Sequence, residues 1–117
     1  MSVTININKQ RIFGRVDKAW AKTLPDITRE IRDDANLYVK VDVGPLRDSS
    51  LIHSELDKGI IRWQTPYAKR QYWEIETAYT VKNPRATWKW FHVAKQRHLD
   101  RWLEQVQRYI RRHMNEQ

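Results

Sequence analysis

A chain of 117 residues, 40% of them hydrophobic, is long enough for one modest core and too short for two. With no cysteine it excludes a disulfide framework and a thiolate zinc site, and no apolar run nears the ~20 residues that a membrane span needs. The formal net charge of +8 is uneven: residues 85–113 carry eight Lys/Arg against Asp100 and Glu104, a local +6, so a basic C-terminal segment dominates the electrostatics.

Six Trp and five Tyr carry much of the expected burial, since each removes a large area from water. Three Gly and four Pro are too few for a disordered or low-complexity chain. The N-terminus lacks a basic region followed by an apolar stretch, so no signal peptide is expected, and the chain reads as one made in a host cytoplasm. One domain spanning residues 1–117 is the expected organisation.

Val3, Ile5 and Ile7 alternate with polar residues, which predicts a half-buried strand. From Lys9 the period lengthens. Ile12, Val16, Ala19, Trp20, Ile27, Ile31 and Ala35 recur every three to four residues, the apolar stripe of an amphipathic helix ending near Asn36. Pro25 interrupts it, and Thr23-Leu-Pro-Asp26 resembles a helix start, so the segment reads as two helices or one kinked helix.

Tyr38 to Pro45 reads as extended chain turning at Gly44-Pro45. Ser50–Leu56 and Gly59–Thr65 read as two strands joined at Asp57-Lys58-Gly59, a hairpin signal. Ala68–Glu74 predicts one or two helical turns and Thr77–Val81 a short strand. After the break at Asn83-Pro84, with Thr87 as the expected cap, Phe91, Ala94, Leu99, Trp102, Val106, Tyr109 and Ile110 form one apolar face. That face predicts a helix of about seven turns. The fold class is therefore α+β: an N-terminal helix or kinked helix pair, a small antiparallel β-sheet and a long C-terminal amphipathic helix.

Little in this pattern points to catalysis. His92 and His98 are six residues apart on one helix, and no His pair has the i, i+4 spacing that aims two imidazoles at one metal. His98 lies on the apolar stripe and reads as a hydrogen-bonded structural residue. His53 and His113 have no Ser or Asp partner in a catalytic order. Neither a phosphate-cradling loop nor a nucleophile motif is present, so no cofactor or metal is expected. Asp33-Asp34 reads as solvated surface, because adjacent helical carboxylates diverge by about 100°.

The basic helix is the ambiguous element. Arg97, Arg101, Arg108, Arg111 and Arg112 fall largely opposite or beside the apolar face, as phosphate contacts or an oligomer interface would require. The aromatics at helical spacing read better as core than as stacking platforms for single strands. Trp90 does not share a side with Trp88 and Phe91. It reads either as an exposed interface anchor beside basic residues or as a side chain under the predicted hairpin.

Three stretches in order carry a resemblance: Asp42-Val-Gly-Pro-Leu-Arg-Asp-Ser49, Pro66-Tyr-Ala-Lys-Arg-Gln-Tyr-Trp-Glu74 and Trp90-Phe-His-Val-Ala-Lys95. Their order and spacing, from about Lys9 to Val106, resemble the minor capsid and neck proteins of long-tailed bacteriophages. Val43, where the family often has Thr, and the strongly basic last helix depart from the pattern. The resemblance implies a non-enzymatic virion protein at the head–tail junction. Its implied partners are itself, in a ring with six copies expected, and neighbouring head-closure, connector, tail-tube or tail-completion proteins. Contact with packaged DNA stays open, and no membrane is involved. Within the first stretch Asp42, Gly44, Pro45, Leu46, Arg47 and Ser49 become candidates for a structural or inter-subunit loop, with Gly44 and Pro45 shaping the backbone and Arg47 donating to carbonyls or a carboxylate. Trp90, Arg97, Arg101, Arg108, Arg111 and Arg112 are the candidate partner-binding residues. The competing reading is a small DNA- or RNA-binding protein that uses the C-terminal helix.

Overall fold

The computed structural model describes residues 2–7, 17–39, 44–66, 68–73 and 89–115. Among these the chain runs β1 (Ser2–Asn6), α1 (Asp17–Asn36), α2 (Gly44–His53), a single 3-10 turn (Leu56–Lys58), β2 (Ile60–Gln64), α3 (Ala68–Trp73) and α4 (Trp90–Asn115). This is an α+β fold with one small antiparallel sheet and a long last helix. The expected strand over Thr77–Val81 and the Thr87 cap lie outside the described residues.

The helical period of the N-terminal third becomes one continuous helix. Ala19, Ile27, Ile31 and Ala35 are buried along one side of α1, with Thr23 and Thr28. Pro25 sits inside it, where it has no N–H to donate. The helix stops where the sequence suggests. The N–H groups of Leu37, Tyr38 and Val39 donate to the carbonyls of Asp34, Ala35 and Asn36, three residues back, which tightens the last turn and satisfies helix-end acceptors.

β1 pairs antiparallel with β2, in register from Ser2↔Gln64 to Asn6↔Ile60. The alternation of β1 buries Val3, opposite Trp63, while Ser2, Thr4 and Asn6 face solvent. The predicted hairpin is therefore wrong in its partner. The turn at Asp57-Lys58-Gly59 exists, and Glu55 and Ile60 form an isolated bridge across it. Ser50–His53, however, is helix and not strand, and the strand that completes the sheet lies at the other end of the sequence.

The cause is local. Pro45 is pre-shaped for a first helical turn, so Gly44-Pro45 starts α2 where the sequence reading had a turn. The hydroxyls of Ser49 and Ser50 then donate back to the carbonyls of Leu46 (2.6 Å) and Arg47 (2.7 Å). The helix still closes the outer edge of β2 as a strand would have done. Ser54 Oγ accepts the N–H of Arg62 and Ser49 Oγ that of Gln64, both at 3.0 Å. An open edge would offer those donors to other chains.

Gly59 makes the turn possible. Its φ is +72°, a conformation that side chains rarely adopt, and a Cβ there would stand 2.6 Å from Ile7 O. Ile7 N–H donates to Gly59 O at 2.7 Å, extending the β1–β2 ladder by one rung. Gly59→Ala is expected to cost about 1–3 kcal/mol, read as a lower urea midpoint with an unchanged slope.

The core lies between the inner sheet face, α1, α3 and α4. Trp63 and Trp90 meet edge-on at 5.5 Å between centroids, and Tyr72 of α3 meets Trp90 at 4.6 Å. Each such pair adds specificity to the area it buries. Trp63 Nε1 donates to Asn36 Oδ1 (3.0 Å), and Asn36 Nδ2 donates to Ser50 Oγ (2.9 Å). One buried chain of hydrogen bonds thus ties β2, α1 and α2 together.

Candidate functional site

The long helix α4 presents two different flanks. Toward the last three turns of α1 it is polar. Asp26, Glu30 and Asp34 are spaced by four, so they form one stripe on α1. The antiparallel α4 meets that stripe rung by rung. Asp34 accepts the Trp102 Nε1–H at 2.7 Å and the Arg101 guanidinium. Glu30 accepts from Gln105 Nε2 at 3.1 Å and from the Tyr109 hydroxyl at 3.2 Å. Asp26 lies 3.2 Å from His113 Nε2 and 3.8 Å from the Arg112 guanidinium.

The electrostatics follow from this ladder. The hydrogen bond to Asp34 holds the Arg101 guanidinium even further above its ordinary pKa. Burial, and then the charge of Glu30, push the Tyr109 phenol up. Asp34 was expected as solvated surface, and only Asp33 is. The side chain of Asp34 is 15% exposed against 57% for Asp33. The 100° divergence rules out a shared site for the neighbouring pair and says nothing of residues four apart. The i, i+4, i+8 spacing of the three acids is the sequence signal of this stripe.

The basic residues accordingly divide. Arg101 and Arg112 are engaged with the acids of α1, and Arg112 also lies over the Tyr109 ring at 5.2 Å. The Arg97 guanidinium lies 5.5 Å above the Tyr38 ring. Arg108 and Arg111 are exposed and hold no ion pair among the described residues. The helix is therefore less free a cation than its composition suggests.

Trp90 is 1% exposed and packs between Trp63 and Tyr72. It is a core residue of the subunit, which agrees with the second of its two readings, a side chain packed under the segment read as a hairpin, and not with an exposed anchor. It begins α4 directly after Lys89, whose φ of +53° and N–H···O bond to Tyr72 (2.9 Å) turn the chain into the helix. Burial pushes the Tyr72 phenol up to about 12, with a hydrogen bond from the His92 backbone opposing the shift. A folded pKa above the unfolded value of about 10 means that the contribution is full below pH 10. It is lost as pH rises through 12. Stability should therefore fall between about pH 10 and 12, and Tyr72→Phe should remove that component.

His98 is the hydrogen-bonded structural residue expected from the sequence: its Nε2 lies 2.8 Å from the Tyr38 hydroxyl. His98→Gln preserves a partner for that hydroxyl and is expected to cost about 1 kcal/mol or less, with particle assembly unaffected in a plating assay.

Of the Asp42–Ser49 stretch, Asp42 and Val43 lie outside the described residues, and Arg47 and Ser49 bond within the subunit. Gly44 and Pro45 open α2, Pro45 exposed. Leu46 is buried. Arg47 Nη2 donates to Val39 O at 3.3 Å, while its buried Nε has no partner. Ser49 joins α2 to β2 as described above.

The other flank of α4 is apolar. Between it, α1 and the end of β1 runs a groove of about 520 Å3, walled by Ile5, Ile7, Trp20, Phe91, Leu103 and Val106, with Lys95 at its rim. Among the described residues no three of His, Asp and Glu are grouped to hold a metal, and no helix is long and apolar enough to cross a membrane.

Among the described residues this is a small α+β subunit in which a polar ladder joins α1 to α4, and an apolar groove, exposed Leu51 and Ile52, and Arg108 and Arg111 stand open. The chain belongs to the minor capsid protein family, whose model matches residues 3–110, and it is a structural component of a phage virion. No curated protein and no solved structure matches it significantly.

Proposed function

We propose that the subunit acts at the head–tail junction of a long-tailed phage, as a neck or tail-completion ring of six copies joining the capsid connector to the tail. The observation that carries this reading is the family match over nearly the whole chain, taken with the ordered neck-protein motifs that the same residues contain. In the subunit, Arg108 and Arg111 stand out on α4 away from the acid ladder, which supports recognition of an acidic surface on a neighbouring virion protein by charge complementarity.

The test reverses those two charges. Arg108→Glu with Arg111→Glu leaves every bond of the α1–α4 ladder in place, so the variant should fold with an unchanged melting temperature. Filled heads and complete tails should accumulate separately, with joined particles falling at least tenfold. Normal yields of joined particles would contradict the reading. Tight retention of duplex or single-stranded DNA by the wild-type subunit at physiological salt would favour the nucleic-acid reading instead, since phosphate-dominated binding weakens steeply with salt.

A further inference from the structure

We infer that the subunit associates with copies of itself head to tail, the exposed face of α2 on one copy seated in the apolar groove beside α4 of the next. The inference rests on the ring reading above and names the contact that would build the ring.

The first half of the contact is a knob. Leu51 is 55% and Ile52 73% exposed, on a helix whose opposite side is buried against β2. Isolated surface aliphatics are ordinary, but these two are adjacent. Asp48 lies three and four residues before them, on the same exposed side of the helix. Asp48 has no ion-pair partner among the described residues.

The second half is the groove. Its volume of about 520 Å3 falls in the ~300–1,000 Å3 range of cavities that enclose a small molecule, so a Leu–Ile pair can enter. Lys95, Leu99 and Leu103 run along its α4 wall at four-residue intervals, all exposed. The knob thus carries an acid one turn before two aliphatic residues, and the groove a base one and two turns before two leucines. Charge and apolar surface match in sign and in kind.

Knob and groove do not meet within one chain. No α2 residue walls the groove, and Ile52 is open to solvent. Two different patches that complement each other make a heterologous contact, which propagates from copy to copy and closes into a ring when the rotation allows. A self-complementary patch would stop at a dimer.

Because the chain has no cysteine, engineered cysteines report the contact without background. Ile52→Cys and Leu103→Cys combined in one chain, treated with a short bismaleimide in concentrated solution and in assembled particles, should give a ladder of covalent multimers extending beyond the dimer. Each single variant alone should give little product, and the two mixed should give a covalent dimer. Both positions are exposed, so folding is checked simply by circular dichroism. Adding Lys95→Glu should cut the ladder several-fold, and adding Asp48→Lys to that chain should restore it. Products that stop at the dimer in the double variant, no ladder in either setting, or an equal ladder from Lys58→Cys with Leu103→Cys would overturn the contact. A ring seen in the particle without the ladder overturns the contact alone. A ladder from particles that hold the subunit away from the junction overturns the location and keeps the contact.

Discussion

Trp63→Ala is expected to lower the unfolding free energy by about 3–5 kcal/mol, a large share of the ~5–15 kcal/mol that a domain of this size has in total. Trp63 is fully buried. Its ring meets Trp90, and its indole N–H begins the hydrogen-bonded chain through Asn36 to Ser50. Alanine opens a cavity where sheet, α1 and α4 converge and also strands Asn36 Oδ1. Trp63→Phe separates the two losses. It keeps most of the apolar volume and removes the donor, so its cost should be near the ~1–3 kcal/mol of one unsatisfied buried acceptor. Urea unfolding followed by the fluorescence of the remaining tryptophans measures both. A cost below about 1 kcal/mol for the alanine variant would mean that the three elements do not share one core.

Trp102→Ala should come close to that, again about 3–5 kcal/mol. Trp102 is 4% exposed, its ring stacks near Phe91 at 6.1 Å and its N–H is held by Asp34. The loss differs in kind, because the residue joins the two flanks of α4: the acid ladder on one side and the floor of the groove on the other. Asp34→Asn keeps an acceptor for Trp102 but gives up the charge facing Arg101. That ion pair is half exposed on the arginine side, and exposed pairs contribute little, so Asp34→Asn should cost about 1 kcal/mol or less. If the two variants are equally destabilised, the ladder and not the ring dominates the α1–α4 seam.

The elements that the sequence disclosed are those made by local periodicity. Ala19, Ile27, Ile31 and Ala35 recur with the helical repeat, and α1 ends at Asn36 as that repeat does. The alternation of Val3 and Ile5 is β1, and the 26-residue α4 buries Ala94, Trp102 and Ile110 of the apolar face read from the sequence. What failed depends on distance along the chain. Ser50–Leu56 was paired with Gly59–Thr65 because a turn stands between them, whereas the true partner of Trp63 is Val3, sixty residues away. No local pattern encodes that pairing, and Pro45, which favours a helix start, is outweighed by the hairpin signal.

Of the candidate residues, the arginines were found, but not their division into paired and free. That division depends on which of them face α1, a tertiary fact. Trp90 was undecided for the same reason: the side chains that bury it come from β2 and α3. The groove and the Leu51–Ile52 knob had no sequence signature, since each exists only after distant segments have assembled or left a face uncovered.

The central claim is that this minor capsid subunit forms a closed ring where head meets tail. A symmetry-expanded reconstruction of the intact particle, focused on the junction, measures it directly. Six copies of the α+β subunit are expected around the tail axis, α2 of each facing the α4 groove of the next. Subunits found in a single copy, as a twofold dimer, or dispersed over the capsid shell would contradict it.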